Sequence, residues 1–490
     1  MDHGARSRRM AKLAAGNLDF SGNHTHRLFS GKQSHKIDGE RPGFYSDRAR
    51  SFFVRWGLGE FFAMAKANKF FCLALCVFLY SPNARAQNTE LRVVTWKAEV
   101  PKVWDDAVAD FERQNSGIKI VREIGPQSST QIHDLLTQKL KNRDPRLDVF
   151  FMDTIWPAEF ASAGWALPLD RYFTAAERAK FLAAPISANQ YRDQIFGVPL
   201  FIDAGVLYYR KDFLEKHGLA PPRLWPELVE QAKTILAREQ GSQLVGFSGQ
   251  FKQYEGLICN MMEYILSSGG ALWDEKRMVS ALHEPAALEA VRFVRDRLIG
   301  EISHRGVLAY EEPESLALFT QGRAIFHRNW PYAWSIANDP ANSKIAGKVG
   351  IAPLPSFAGA KGVAALGGWQ LGVSRFSSKP DLAWRFVAFM TSKEIQKRIG
   401  LATGRAPTRT ALYEDAELTA KMPQLKSLLD TFKQAVPRPT TPVYVPLSNI
   451  MQRYFSSALA LPNSDINKRA ALAARDMDRL LDLLRERQMP

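Results

Sequence analysis

Short apolar runs alternate with amphipathic segments in the middle of the chain. Residues 91–95 (LRVVT) and 147–152 (LDVFFM) are rich in β-branched, aliphatic and aromatic side chains and predict strands, and 118–121 predicts a third strand between them. The intervening segments, 101–114 and 132–140, carry apolar residues at helical spacing. This strand–helix–strand–helix–strand order predicts a parallel sheet that helices cover on both faces.

The same patterns continue beyond Pro199 without an internal repeat or a low-complexity linker. Because no long Pro-, Gly- or Ser-rich stretch separates independent domains, we expect two α/β lobes joined by short crossovers. The predicted strands are 205–209, 324–326, 349–352 and 366–374, and the predicted helices are 225–238, 253–267, 382–390, 395–399 and 466–487.

Residues 64–86 have the three parts of a secretory signal peptide. Lys66 and Lys69 precede an uninterrupted apolar run, 70–80, and the Ala-Arg-Ala of 84–86 provides a small-x-small cleavage site. The run is too short to span a bilayer, which takes about 20 apolar residues. A buried helix is the alternative, but the segment stands just before the first predicted strand. We therefore expect export to the periplasm.

The segment upstream of the signal peptide, residues 1–63, shows no sustained periodicity and is rich in Arg, Ser, Gly, Asn and His. It is expected to be disordered. We expect translation to begin at Met64, so that residues 1–63 are not made. The alternative is that they form a basic tail that binds anionic partners. A lipid anchor at Cys76 is not expected, because the bulky Leu75 stands where a small residue is needed.

The basic character of the chain lies mostly in its first 86 residues. The whole sequence carries 65 Lys and Arg against 50 Asp and Glu, a formal net charge of +15, and the first 86 residues contribute 14 basic and six acidic residues. Residues 87–490 carry the remaining net charge of +7. They contain no basic stripe with interleaved aromatic residues, so nucleic-acid binding is not expected. Of three cysteines only Cys259 follows the signal peptide, which excludes an internal disulfide in the exported chain.

Motifs of the common catalytic and cofactor sites are missing from the sequence. It has neither a GxxxxGK[ST] phosphate loop nor a GxGxxG turn after its first predicted strand, and residues 246–249 (GFSG) are one residue short of a GxSxG elbow. The histidines form no HExxH pair, so neither a metal nor a cofactor is predicted. A glycoside hydrolase stays open, because it needs no motif beyond two carboxylates.

Acidic residues stand where predicted strands end. Glu99 follows the first strand, Asp153 ends the third, and Asp203 follows the crossover at 199–201. Ligands of open α/β sheets bind beyond the carboxyl ends of strands, and ionised carboxylates there accept hydrogen bonds from a ligand rich in hydroxyls. Each aspartate also has a plainer interpretation as a turn or helix cap.

Trp330 and Trp369 offer flat faces for such a ligand. The C–H face of a pyranose ring packs on an indole while its hydroxyls reach polar neighbours, and Gly367 and Gly368 let the chain approach a ligand closely. A tryptophan in an apolar segment is also a common core residue. Composition and spacing therefore indicate an exported α/β protein with a candidate sugar site.

Five blocks of sequence, in order, resemble extracellular solute-binding proteins of carbohydrate ABC transporters, in particular the trehalose/maltose-binding subgroup. The resemblance covers residues 87–450 and implies a class II periplasmic binding fold. In that fold each of two lobes has a mostly parallel sheet flanked by helices, with the ligand in the cleft between the lobes. The first lobe would take 88–199 and 346–393, and the second 200–345 and 394–490. The blocks are 203–211 (DAGVLYYRK), 252–260 (KQYEGLICN), 328–334 (RNWPYAW), 349–355 (VGIAPLP) and 366–372 (LGGWQLG).

The resemblance also implies a set of sugar contacts. An arginine donor at Arg438 would complement the carboxylate acceptors. Phe201 stands where the family commonly has a tyrosine, which keeps a packing face and loses a hydroxyl. The full set of implied contacts is Glu99, Asp153, Phe201, Asp203, Trp330, Gly368, Trp369 and Arg438.

The function that the resemblance implies is capture without catalysis. A periplasmic, monomeric binding protein would close its lobes on an α-linked disaccharide, trehalose- or maltose-like, and deliver it to the membrane permease of an ABC importer. A glycoside hydrolase that uses two of the carboxylates is the alternative from another class. A relative that binds polyamines or metals is a third possibility, but the two tryptophans favour a sugar ligand.

Overall fold

A computed structural model describes residues 88–97, 102–239 and 243–488 of the chain. The leader and signal peptide predicted at 1–86, and the predicted ligand residue Glu99, lie outside the described residues. The described part is organised around two sheets that helices cover.

The strands of the described part form these two larger sheets and two short antiparallel pairs. The six-stranded sheet has the order β14-β6-β13-β3-β1-β2, and the four-stranded sheet has the order β12-β7-β11-β8. In chain order the strands are β1 (Thr89–Thr95), β2 (Ile118–Ile124), β3 (Val149–Asp153), β4 (Gln190–Tyr191), β5 (Gln194–Ile195), β6 (Val198–Ala204), β7 (Val206–Arg210), β8 (Val245–Ser248), β9 (Trp273–Asp274), β10 (Val279–Ser280), β11 (Ala324–Asn329), β12 (Val349–Pro353), β13 (Leu366–Val373) and β14 (Ala406–Pro407).

The helices pack around these sheets, and the helix predicted at 225–238 is confirmed with those bounds, with Pro226 in its first turn. A π-helix, Phe293–Ile302, continues α9, and 3-10 turns occupy Arg305–Ala309 and Thr410–Glu414. The α-helices are α1 (Lys102–Gln114), α2 (Ser129–Lys141), α3 (Pro157–Ser162), α4 (Ala175–Arg178), α5 (Ala183–Ala188), α6 (Lys211–Lys216), α7 (Trp225–Arg238), α8 (Glu255–Ser267), α9 (Pro285–Arg292), α10 (Glu312–Thr320), α11 (Ala333–Ala337), α12 (Pro380–Met390), α13 (Lys393–Thr403), α14 (Ala416–Lys421), α15 (Gln424–Gln434), α16 (Tyr444–Ala460) and α17 (Ile466–Gln488).

The six-stranded sheet of the first lobe combines parallel and antiparallel pairs. β1 is parallel to β2 and to β3, as the alternating pattern predicted, and α1 and α2 form the connections. β13 lies between β3 and β6 and is antiparallel to both. The sheet is therefore mixed rather than mostly parallel. The chain enters β13 on its return from the second lobe, and β13 then runs antiparallel to its two neighbours, β3 and β6.

The four-stranded sheet of the second lobe is also mixed. β8 and β11 are parallel, whereas β7 is antiparallel to both β11 and β12. The chain passes between the sheets at Gly205, from β6 to β7, and again through 354–365, from β12 to β13. We propose lobe boundaries at these two crossovers, Gly205 and 354–365, in place of the predicted 199/200 and 345/346.

Helix α16 packs into the cores of both lobes. Its first residue, Tyr444, belongs to the core beneath the six-stranded sheet, together with Trp104 and Phe386. Leu447 and Met451, one and two turns later, belong to the core of the second lobe. The segment before α16 therefore crosses the seam between the lobes, and this segment contains Arg438.

Candidate ligand-binding site

A cleft of about 770 Å³ lies where β1, β3 and β6 end and α8 and α10 begin. Open α/β sheets bind ligands at this position, and small-molecule sites have volumes of this order. Residues from both lobes line the cleft. They include six of the eight residues that the sequence predicted, whose contact with a ligand stays a prediction: Asp153, Asp203, Trp330, Gly368, Trp369 and Arg438.

The pairing of β13 builds the wall of the cleft on the first lobe. Trp369 pairs with Asp153 of β3, and Gly367 pairs with Asp203 of β6. Gly368 between them has a φ of +127°, and a Cβ there would lie 2.5 Å from a carbonyl oxygen of β6. Glycine is therefore needed at this position, and the close strand approach brings two carboxylates and an indole to one wall.

Trp96, which follows β1, stacks on Trp369. The ring centroids are 4.2 Å apart and the planes differ by 12°, and the Trp96 indole N–H donates to the Gln127 carbonyl. Trp369 is only 5% exposed and contacts Trp156 edge-on, with centroids 5.5 Å apart. Trp369 is therefore partly a core residue that supports Trp96, and the half-buried Trp96 carries the more accessible indole of this wall.

Trp330 lines the cleft from the second lobe and is held in place before any ligand arrives. Its indole N–H donates to the Glu312 carboxylate at 3.0 Å, and the Arg328 guanidinium lies 4.0 Å from its ring centroid. Arg328 in turn forms two hydrogen bonds with Glu263, at 2.8 and 2.5 Å, and both side chains are 1% exposed. A platform fixed in this way loses little conformational entropy when a ligand packs on it.

The same buried ion pair supports the crossovers at Gly205 and at 354–365. The Glu263 carboxylate accepts the backbone N–H of Ala365 at 3.1 Å. A Cβ at Gly205 would lie 1.9 Å from a Glu263 carboxylate oxygen, so a side chain at this crossover would displace the ion pair. The orientation of Trp330 and the path of both crossovers therefore depend on one pair, Arg328 and Glu263.

Asp203 offers an acceptor that has no internal partner. The residue is 6% exposed, its Oδ1 atom makes no hydrogen bond, and the Arg405 guanidinium lies 3.7 Å from Oδ2. Burial raises the pKa of Asp203 to about 6, because the loss of hydration outweighs the attraction of Arg405 and Arg328. Buried polar atoms normally have partners, and a hydroxyl donor on a ligand would provide one.

Arg438 joins acidic groups of both lobes. Its guanidinium donates to Asp153 at 2.9 Å and to Glu255 at 2.8 Å. Glu255 also accepts the hydroxyls of Tyr444 at 2.6 Å and Ser448 at 2.5 Å, both from α16. Burial raises the pKa of Asp153, although Arg438 opposes the shift. Arg438 is thus engaged in an interlobe network, and only its Nε atom lacks an internal partner.

Phe201 does not line the cleft, which corrects the predicted ligand contact. Its side chain is 1% exposed in the core of the first lobe, and the Arg405 guanidinium lies 4.4 Å from its ring centroid. Phe201 lies two residues before Asp203 on β6 and so shares its face, but it sits deeper and supports Arg405. The residues that line the cleft and that the sequence did not predict include Trp96, Tyr254, Glu255, Glu312 and Arg405.

The chemistry of the cleft is hydrogen bonding and stacking. Among the described residues, no group of three or more His, Cys, Asp or Glu side chains is arranged to hold a metal ion. Cys259 borders the cleft as a buried thiol, and burial raises its pKa to about 12, so it stays protonated. None of the helices in the described ranges is long and apolar enough to cross a lipid bilayer.

Comparison with known proteins decides the family. Residues 96–397, more than half of the chain, match the model of the bacterial extracellular solute-binding protein family. The chain belongs to this family. A relative described as a probable ABC transporter-binding protein of Deinococcus radiodurans is 35% identical over 333 residues, which is 67% of this chain and 78% of that protein.

Solved structures of solute-binding proteins share the fold of this family member. The maltose-bound MalE3 protein of T. maritima is 36% identical with a TM-score of 0.74, over 81% of this chain and all of that chain. An ABC transporter solute-binding protein of Agrobacterium radiobacter K84, in complex with ribitol, has a TM-score of 0.73 over 81% of this chain and 99% of that one. At 22% identity it shows the fold alone.

The two-lobed periplasmic binding fold is therefore confirmed, and with it the prediction that the chain is a binding protein rather than an enzyme. The glycoside hydrolase alternative is set aside, because the matched proteins are solute-binding proteins. The identity of the solute does not follow from family membership.

Proposed function

We propose that this solute-binding protein captures an α-linked disaccharide, trehalose- or maltose-like, in the cleft between its lobes and delivers it to the membrane permease of an ABC importer. The observation that carries the proposal is the cleft wall itself, where indoles from both lobes stand beside carboxylate and guanidinium groups. The maltose in the MalE3 structure, which is 36% identical to this chain, supports the choice of ligand class.

The side chains of the cleft suit a neutral ligand with many hydroxyls. Asp203 provides a free acceptor, and Trp96 and Trp330 provide apolar faces on opposite lobes. A disaccharide presents both kinds of surface, because its C–H faces pack on indoles while its hydroxyls donate to carboxylates. Ligand contacts on both lobes would stabilise the closed state relative to the open state, which is what shifts such an equilibrium.

The site of action is proposed to be the periplasm, reached through the signal peptide at 64–86 and without a lipid anchor. The protein would act there as a monomer, with the permease as its macromolecular partner and without a cofactor. Family membership supports this assignment, since the matched family is extracellular.

Titration calorimetry of the purified protein with a ligand panel tests the proposal. The panel contains maltose, trehalose, sucrose, glucose, mannitol and ribitol. We expect an α-linked disaccharide to bind at least about tenfold more tightly than glucose or either polyol, because it has two rings, one for each indole wall. Preferential binding of a monosaccharide or polyol, or no binding across the panel, would contradict the proposal.

Substitution of the stacked tryptophans separates packing from binding. Trp369→Ala removes a buried ring and should lower the free energy of unfolding by about 3–5 kcal/mol. Trp96→Ala should cost less than half of that amount, yet weaken disaccharide binding by about tenfold because the accessible stacking face is lost. Urea unfolding and calorimetry measure the two effects. A Trp96→Ala protein with wild-type affinity would show that Trp96 is not the platform.

A further inference from the structure

Three buried polar atoms on residues that line the cleft have no hydrogen-bond partner within the protein: Asp203 Oδ1, Arg438 Nε and the hydroxyl of Tyr254. Nearly all buried polar atoms in folded proteins are paired, so each exception calls for an explanation. The first two belong to residues for which a ligand contact was predicted. The Tyr254 hydroxyl is the third, and no prediction had assigned it a role.

Tyr254 lies immediately before α8, and the backbone around it determines where its side chain lies. It is 7% exposed, and its φ of −163° is extended. A Cβ on Gly256 would lie 2.2 Å from the Tyr254 hydroxyl, so the side chain occupies the space that any other residue at position 256 would fill. Gly256 also lines the cleft. The missing side chain at Gly256 therefore leaves the space that the hydroxyl occupies, next to a residue that lines the cleft.

The neighbours of this hydroxyl belong to the platform of the second lobe. Glu312 accepts the indole N–H of Trp330 at 3.0 Å and lines the same cleft. Burial raises the pKa of Tyr254 well above its ordinary value, and the charge of the Glu312 carboxylate and its interaction with the hydroxyl add to the shift. The phenol therefore stays protonated, and because the contact with Glu312 does not have the geometry of a full hydrogen bond, the O–H can donate to a ligand. A neutral donor thus stands near the carboxylate that orients Trp330.

We infer that Tyr254 is a further ligand-contacting and specificity-determining residue, whose hydroxyl bonds a hydroxyl of the sugar ring packed on Trp330. The inference rests on the proposed function, since it assumes a ligand with hydroxyls in this cleft. It gives the second lobe a polar contact beside its stacking platform. A ligand that lacks the matching hydroxyl would leave the Tyr254 hydroxyl buried and unpaired, and would be rejected on that ground.

Tyr254→Phe tests the inference, because it removes the hydroxyl and keeps the ring. We expect a loss of disaccharide affinity of about tenfold, as for a buried hydrogen bond whose partner is left unsatisfied. The unfolding temperature of the unliganded variant should be unchanged or higher, since no internal hydrogen bond is lost. Tyr454→Phe is the matched control. The Tyr454 hydroxyl is also buried without a partner, but Tyr454 does not line the cleft, so this variant should bind like the wild type.

Monodeoxy analogues of the bound disaccharide identify the contacted hydroxyl. One analogue should bind equally to the wild type and to Tyr254→Phe, because the hydrogen bond is already absent in both complexes. Gly256→Ala gives a second route, since it displaces the Tyr254 hydroxyl without removing it and should also weaken binding by about tenfold.

The outcomes distinguish the inference from the proposed function. If the wild type binds disaccharides and Tyr254→Phe binds them equally well, the inference is overturned and the proposed function stands. If unliganded Tyr254→Phe unfolds at a lower temperature while Tyr454→Phe does not, the hydroxyl has a structural partner such as Glu312, and the inference is again overturned. If the wild type binds no sugar, the proposed function fails and the inference fails with it.

Discussion

Replacing Arg438 with methionine should lower the free energy of unfolding by about 3–5 kcal/mol. The Arg438 side chain is 3% exposed, and its guanidinium is shared by Asp153 of the first lobe and Glu255 of the second. Its removal leaves two buried carboxylates without their cation, and burial already raises the pKa of Asp153. Methionine replaces much of the lost volume. The decrease in the free energy of unfolding, measured with urea at neutral pH, therefore reflects mainly the unpaired carboxylates rather than lost packing.

A second substitution separates this electrostatic effect from lost packing. Adding Glu255→Gln to Arg438→Met removes one of the unpaired charges and should restore part of the stability, although Glu255→Gln alone breaks the pair and destabilises the protein. Arg479→Met is the surface control, because Arg479 is largely exposed and its pair with Asp476 has a distance of 3.4 Å. That variant should unfold like the wild type. An Arg438→Met protein of wild-type stability would show that Asp153 and Glu255 do not destabilise the fold when their cation is removed.

Asp203→Asn should affect binding and stability in opposite directions. Loss of an ionised acceptor for a ligand hydroxyl should weaken disaccharide binding by about tenfold to hundredfold. The unliganded protein at neutral pH should become more stable, because the wild type keeps a charge buried at Asp203 with Oδ1 unpaired. Such an exchange of stability for function is common at binding sites. Calorimetry and urea unfolding of the same preparation measure both.

The pH dependence of the two proteins gives the sign of this effect. The pKa of Asp203 is raised from 3.8 to about 6 on folding, so between these values the native state holds a proton that the unfolded state has lost. The wild type should therefore lose stability relative to Asp203→Asn as the pH rises through this range, by up to about 3 kcal/mol. Disaccharide affinity of the wild type should fall as the pH drops below about 6. A stability difference that does not change with pH would show that Asp203 is not the titrating group.

Much of the fold could be predicted because its signals are local. The apolar runs that became β1, β2 and β3, and the amphipathic pattern of α7, are each contained in a short stretch of sequence. The direction of β13 could not be predicted in the same way, since it depends on where the chain re-enters the first lobe. Helix α16 was missed because its residues face two different cores, so no single apolar stripe is visible.

The candidate site was predictable where a residue type alone carries chemistry, as with an aspartate at a strand end or a tryptophan that follows two glycines. The support for those residues was not predictable, because it comes from distant parts of the chain. Arg405 reaches Asp203 from the end of α13, and Glu312 holds Trp330 from the start of α10. Phe201 was misassigned for the same reason, since only the structure shows that Arg405 covers it.

The position of β13 determines when the first lobe can be completed during biosynthesis. This strand fills the middle of the six-stranded sheet, between β3 and β6, yet it comes from residues 366–373. A nascent chain therefore has an incomplete sheet until most of its length has been translated, and pairings of such long sequence separation form slowly. Helix α16, which ties both cores together, emerges later still. Under the proposed export to the periplasm, late completion of this kind would keep the chain unfolded long enough to pass through a secretion channel before the sheet closes.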